Sequence, residues 1–182
     1  MKTRTKLILK ILYVLSWILF IGVSIEAGGS VFSSFYTLVI NSINARTFWE
    51  GNDLSDLYAF GREYFFTETM LISIASVLKA CLFYLIIKIL HDKKLNMSQP
   101  FNKEVNRFII RVSCLAFGIG IFTWMGAANT EWLVKHGVKM PDTQRLRLGG
   151  ADVWLFMGVT LFIISQIFKR GIEIQTENEL TV

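Results

Sequence analysis

Long apolar runs broken by short polar connections set the rhythm of this chain. Four of the runs cover residues 7–25, 70–90, 108–128 and 150–168. Each is close to the roughly 20 residues a helix needs to cross a hydrocarbon core about 30 Å thick. The pattern predicts an all-α, polytopic membrane protein with four transmembrane helices in a single four-helix domain over 1–182, ending in a short tail over 169–182. Between the first two runs, Phe32, Phe35, Tyr36, Val39 and Ile43 recur at helical spacing. They either extend the first span or form an extra interfacial amphipathic helix after it, with Gly28 and Gly29 supplying a bend between the two.

Composition agrees with a lipid environment. Of 182 residues, 53% are hydrophobic and 18% charged, whereas a soluble domain usually carries about 25% charged residues. Four spans and their connections use nearly the whole chain, so no separate soluble domain is expected. The formal charge of +5 collects at span ends, where lysine and arginine meet lipid phosphates. It is therefore read as membrane anchoring rather than direct nucleic-acid binding.

Charge also orients the chain. Lys2, Arg4, Lys6 and Lys10 precede or open the first run. That run is longer than the apolar segment of about 7 to 15 residues found in a cleaved signal peptide, so it is read as a retained helix starting in the cytoplasm. The connection over 27–69 carries Arg46 and Arg62 against Glu50, Asp53, Asp56, Glu63 and Glu68, with Glu26 at its edge. The connection over 91–107 carries Lys93, Lys94, Lys103 and Arg107, flanked by Lys88 and Arg111. The positive-inside rule places the second connection in the cytoplasm and both termini with it. The third connection, 129–149, then lies outside although it holds Lys135, Lys139, Arg145 and Arg147 against Glu131 and Asp142. The rule is satisfied only on average.

Within the spans, Ser113, Ala116, Gly120, Gly126 and Ala127 are small, and Ala116 and Gly120 share one helix face. Small residues let helix backbones approach closely in lipid, so this face is expected to meet a neighbouring span, with a homo-oligomer contact as the alternative. Trp49, Tyr58, Tyr64, Phe65 and Phe66 fit either an aromatic belt at the outer interface or a layer packed over the helices. Cys81 and Cys114 lie inside spans and are read as small packing residues, not as a disulfide or a thiolate metal site.

Lys79 is the residue least suited to lipid. It lies nine residues into the second run, and an intramembrane lysine should face the protein interior or a water-filled cavity. Glu26 is the acid nearest the first span, displaced toward the outer face. An ion or ligand site around Lys79 and Glu26 is one reading; a lysine that snorkels or bonds backbone oxygens is the other. His91 and His136 fall at opposite faces and cannot share a metal. No phosphate loop, zinc-protease helix, nucleophile elbow or kinase motif is present, and Gly118 and Gly120 lack the strand that a dinucleotide site requires. No catalytic set, cofactor or metal is expected, and the chain is not read as an enzyme.

The connection 98–104 predicts Asn102 as the cap of a helix starting at Lys103, after Pro100 and Phe101. After Lys169 and Arg170, Gly171 is expected to end the fourth span, leaving an extended segment in which Ile172 and Ile174 alternate with polar residues. Pro100, Phe101 and Asn102, followed at the end of the chain by Gly171, Ile172, Glu173, Ile174, Gln175, Glu177, Asn178, Glu179, Leu180, Thr181 and Val182, resemble the signature of the bacterial family called domain of unknown function 2975. The resemblance covers most of the chain, although nothing carries over to 46–68 or 129–149. It implies a multi-pass protein of the bacterial cytoplasmic membrane with no established activity. It also implies a partner, because genes of this family often sit beside one for a small helix-turn-helix regulator. The expected docking face is cytoplasmic: Pro100, Phe101 and Asn102 with Glu173, Gln175, Glu177, Asn178, Glu179 and Leu180. A regulatory or sensory component is the leading expectation. A small transporter or channel subunit using Lys79, and a membrane assembly factor, are the alternatives.

Overall fold

The computed structural model describes residues 2–92 and 102–179, with side chains over 7–92 and 102–177. Pro100, Phe101 and Leu180, and the side chains of Asn178 and Glu179, lie outside the described residues. Five α-helices account for most of the rest: α1 (Lys2–Val39), α2 (Ser55–Phe60), α3 (Arg62–His91), α4 (Lys103–Lys135) and α5 (Ala151–Glu179). Four of them, all but α2, are long and apolar enough to cross a membrane.

The first span does not stop at Gly28-Gly29. α1 runs unbroken through both glycines to Val39, so residues 31–39 extend the span and no separate interfacial helix follows it. The reason is visible in the side chains. Ala27, Ser30, Ser33 and Thr37 are buried, whereas Val31, Phe32, Phe35 and Val39 are exposed. Two of the buried hydroxyls are satisfied by the helix's own backbone: Ser30 donates to Ala27 O and Thr37 to Ser33 O. Small hydroxyl residues inward and large apolar residues outward is the polarity expected of a helix solvated by lipid.

The helix ends follow from local chemistry. Asn102 caps α4, its side chain accepting from Val105 N at 2.8 Å. A break at Gly171 does not occur: α5 continues to Glu179. A single helical glycine costs only about 1 kcal/mol, and the turns around it are supported by an Arg170–Glu173 ion pair at 3.0 Å and a Thr176 hydroxyl donating to Ile172 O. The alternation of Ile172 and Ile174 therefore belongs to a helix.

Successive spans run antiparallel and pack mainly as a row, α1 on α3, α3 on α4 and α4 on α5. Among the described residues no comparable packing joins α1 to α5, so the row is an open layer. Lipid tails solvate apolar faces as well as protein does, and nothing drives the row to close. Ala116 is fully buried, and at Gly120 an added Cβ would lie 2.7 Å from Leu155 Cγ of α5. This is the neighbouring-span contact that the sequence predicts. Cys81 and Cys114, by contrast, are exposed on the helix surfaces.

The row has two different ends. At one, the basal end, the Tyr13 hydroxyl of α1 meets His91 at the close of α3 at 3.2 Å, and Ile89, Val105 and Ile109 pack with Phe168 of α5. The start of α1, the end of α3, the start of α4 and the end of α5 therefore share this end. At the other, the two remaining connections fold into a cap. Ala45, Phe48, Leu54 and Leu57 from the first pack on Val138, Leu146 and Leu148 from the third, over Phe65 and Leu133 of the helices. Burying a leucine-sized side chain contributes about 2 kcal/mol, so the cap has a core of its own. Phe65 is inside that core, edge-to-face with Phe48 and Tyr58, and Tyr64 stacks on Trp132 with ring centroids 5.6 Å apart. Most of the candidate aromatic belt is thus packing; Phe66 is the member left exposed.

One close approach ties α1 to this cap. Gly29 lies flat against the Trp49 indole, and a Cβ there would overlap the ring. Gly29→Ala is expected to push Trp49 out of place and to cost about 1 to 3 kcal/mol. A detergent unfolding midpoint lowered together with faster proteolysis within 40–61 is the expected result; an unchanged cap would show that the ring is not held there.

Candidate functional site

Arg147 gathers four segments of the chain. The turn leading to it is tight: Gln144 N donates to the Asp142 carboxylate, Arg147 N to Gln144 O and Leu148 N to Thr143 O. It leaves Arg147 in the left-handed region, at φ 59°. Glu50, also at φ 59°, is the other non-glycine residue in that region among the described residues. Each such residue costs on the order of 1 kcal/mol and persists only where its surroundings hold it. Here the two hold each other, Arg147 Nη2 standing 3.3 Å from Glu50 Oε1. Its Nε lies 3.6 Å from Glu26 of α1. Its carbonyl accepts from Lys79 Nζ of α3 at 2.9 Å.

Lys79 therefore does face inward, as an intramembrane lysine must. Its direct hydrogen-bond partner is the Arg147 carbonyl, and Glu26 is placed to pair with Arg147 at the same junction. The two sequence candidates are brought into one site, but through a third residue. Lys79 and Arg147 border an open pocket of about 250 Å³ with Gln144, Gly149 and Gly150. On the other side of Arg147, Glu26, Ser30, Trp49 and Ser76 line a narrower cavity. Glu26 and Glu50 meet Arg147 there, with Lys79 and Arg145 beside it. The arrangement offers charge recognition and a breakable link between cap and spans, rather than a nucleophile aligned with a base.

A second polar site escaped the sequence reading. Glu68 counts by position among the acids of the first connection. The structure places it in α3 with no exposed surface. Its carboxylate accepts from the Thr130 hydroxyl at 2.5 Å and from Asn129 Nδ2 at 2.6 Å, both on α4. The available signal is the spacing Phe65, Glu68, Ile72, which sets the acid on the buried stripe of α3.

The cap also carries an open cleft of about 400 Å³ where Asp53 and Asp56 of the first connection face Lys139 and Arg145 of the third. Asp53 is held below the usual carboxylate value, chiefly by the Ser55 hydroxyl and then by the Ser55 backbone N–H. A lowered value stabilises the fold above the ordinary aspartate range, and that contribution is lost as pH falls through the lowered value.

At the basal end, Asn102 is a helix cap, and Glu173, Gln175 and Glu177 lie on the last turns of α5, with Glu173 paired to Arg170. His91 and His136 stand at opposite ends of the row, and among the described residues no group of three or more metal-ligating side chains occurs. Residues 45–182, more than half of the chain, match a family described as Protein of unknown function (DUF2975). The chain belongs to that family. The match begins inside the cap and takes in α2 to α5, so most of the cap, the Arg147 turn and the Glu68 site fall within the DUF2975 region, whereas α1 with Glu26 precedes it. No curated protein and no solved structure matches the chain.

Proposed function

We propose that this DUF2975 member is a sensory component of the bacterial cytoplasmic membrane: its cap receives a stimulus outside, and α5 carries the response to a regulatory partner inside. In this reading both chain ends face the cytoplasm. The basal end carries Lys10, Lys88, Lys103, Arg107, Lys169 and Arg170, as the positive-inside rule asks. The carrying observation is the position of Arg147. It is ion-paired to α1 and to the cap, it binds Lys79 of α3 through its carbonyl, and only four residues later α5 begins its unbroken run to Glu179. A shift of the cap is thereby a shift at the root of a rod that ends in the cytoplasm. The partner implied by the family resemblance is a small helix-turn-helix regulator docking near Asn102 and on Glu173, Gln175 and Glu177.

The relay is testable without knowing the stimulus. Arg147→Gln removes both ion pairs and leaves the carbonyl that Lys79 needs. Because Arg147 is half-exposed, the change in global stability should stay within about 1 kcal/mol. Hydrogen exchange should rise in the cap segment 42–54 and change in 172–177, at the far end of α5. A loosened cap with unaltered exchange at 172–177 would rule out the relay. Deleting 172–182 should release a co-expressed regulator from the membrane fraction.

A further inference from the structure

In the cap cleft cations and carboxylates are matched in number; at the basal end of α3 and α4 the cations are in excess. Lys88, Arg107 and Arg111 converge on a groove of about 200 Å³ between the two helices. Among the described residues no ion pair or hydrogen bond engages their side chains. Asp92 and Glu104 line the same groove, and both already have partners. Three cations against two carboxylates leave the groove with a net positive charge, which attracts an anion. The floor of the groove is apolar, formed by Leu85, Ile89 and Phe108.

The geometry points to a binding site for the phosphate headgroup of an anionic phospholipid in this groove. The depth of the cations decides the occupant. α4 has 33 residues, about 50 Å of helix, so about 10 Å at each end extends beyond a 30 Å hydrocarbon core. Arg107 and Arg111 follow the start of α4 at Lys103 by about 6 and 12 Å, and so span the headgroup layer down to its apolar boundary. A guanidinium pair suits phosphate oxygens, which it can grip in a bidentate fashion. The apolar floor below continues into the face that lipid covers, which suits an acyl chain and not a free ion. The site does not depend on the sensory reading and would persist without it.

The test uses the full chain purified in a neutral detergent. Native mass spectrometry should find phosphatidylglycerol retained in preference to phosphatidylcholine. Each basic residue near a membrane surface is worth a factor of about five in binding anionic lipid, so Arg107→Gln with Arg111→Gln should weaken retention about thirty-fold. Arg107→Lys with Arg111→Lys should retain most of it, and Arg46→Gln in the cap should change nothing. If the double glutamine variant fails to fold, Lys88→Gln alone should still weaken retention about five-fold. Equal retention of the two lipids, or equal loss with Arg46→Gln, would overturn the site. Inorganic phosphate binding as tightly as the lipid, with the same dependence on Arg107 and Arg111, would reject the lipid as its occupant.

Discussion

Glu68→Ala is expected to lower the stability of the protein by about 2 to 4 kcal/mol, while Glu68→Gln should stay within about 1 kcal/mol of the parent. The difference comes from what each change leaves behind. Alanine opens a cavity at a fully buried position and orphans two donors, the Thr130 hydroxyl and the Asn129 amide, that now bond the carboxylate. Glutamine keeps the volume, can accept from Thr130, and can exchange amide bonds with Asn129 after a flip of either group. A third variant separates geometry from charge: Glu68→Leu combined with Asn129→Leu and Thr130→Val replaces the polar set with apolar groups of similar size. Buried ionic groups often bring no net stability over such replacements, so this triple change should recover most of the loss. Unfolding midpoints in detergent decide among these outcomes. If the alanine and glutamine variants melt together with the parent, the contact between α3 and α4 through Glu68 carries no weight.

The spans were legible because lipid imposes a rule that a sequence window can read: continuous apolarity over the thickness of the core. The Ala116–Gly120 face was legible for a related reason, since small residues four apart have one main use in a membrane helix. The Asn102 cap was legible from local chemistry alone. The ends of α1 and α5 were not. Gly28 and Gly29 read as a candidate bend, yet Ser30, Ser33 and Thr37 beyond them are buried, so the helix continues past the glycines. Gly171 read as a stop because the local pattern could not weigh one glycine against the helix-supporting contacts around it. The junction at Arg147 was out of reach: Glu50 is 97 residues away and Lys79 is 68 away, and no period links them. Lys79 could be singled out because it breaks the lipid rule; the carbonyl that receives it could not.

The same junction accounts for the connection that fits the positive-inside rule least well. Residues 129–149 bring Lys139, Arg145 and Arg147 to the end of the row where the acids collect. Arg147 meets Glu26 and Glu50, and Lys139 and Arg145 share a cleft with Asp53 and Asp56. An arginine paired across a folded cap presents little free charge to a membrane surface. The basal cations Lys88, Arg107 and Arg111 outnumber the two carboxylates of their groove, Asp92 and Glu104. What distinguishes the two ends is therefore the local balance of cations and carboxylates, which counting lysines and arginines along the sequence does not capture.

Gly120→Val is expected to be the most disruptive single change in the helical row, and its sign can be set against the same chemistry elsewhere. A Cβ at Gly120 would lie 2.7 Å from Leu155 Cγ, 2.8 Å from its Cδ2 and 3.1 Å from its backbone N. The Leu155 side chain can rotate away, but its backbone nitrogen cannot, so α4 and α5 must separate. Gly120→Ala should cost about 1 to 3 kcal/mol from overpacking, with valine costing more because both of its methyl groups enter the same space. At Gly22 of α1 an added Cβ meets nothing within 4 Å. There the helix preference for alanine over glycine acts alone, and Gly22→Ala should gain up to about 1 kcal/mol. Thermal unfolding of the three variants in one detergent gives the comparison. A Gly120→Val protein as stable as the parent would mean that α4 and α5 do not pack at this distance. Since the strongest packing in the row is between these two helices, α5 would then lose the support that lets it act as a rod.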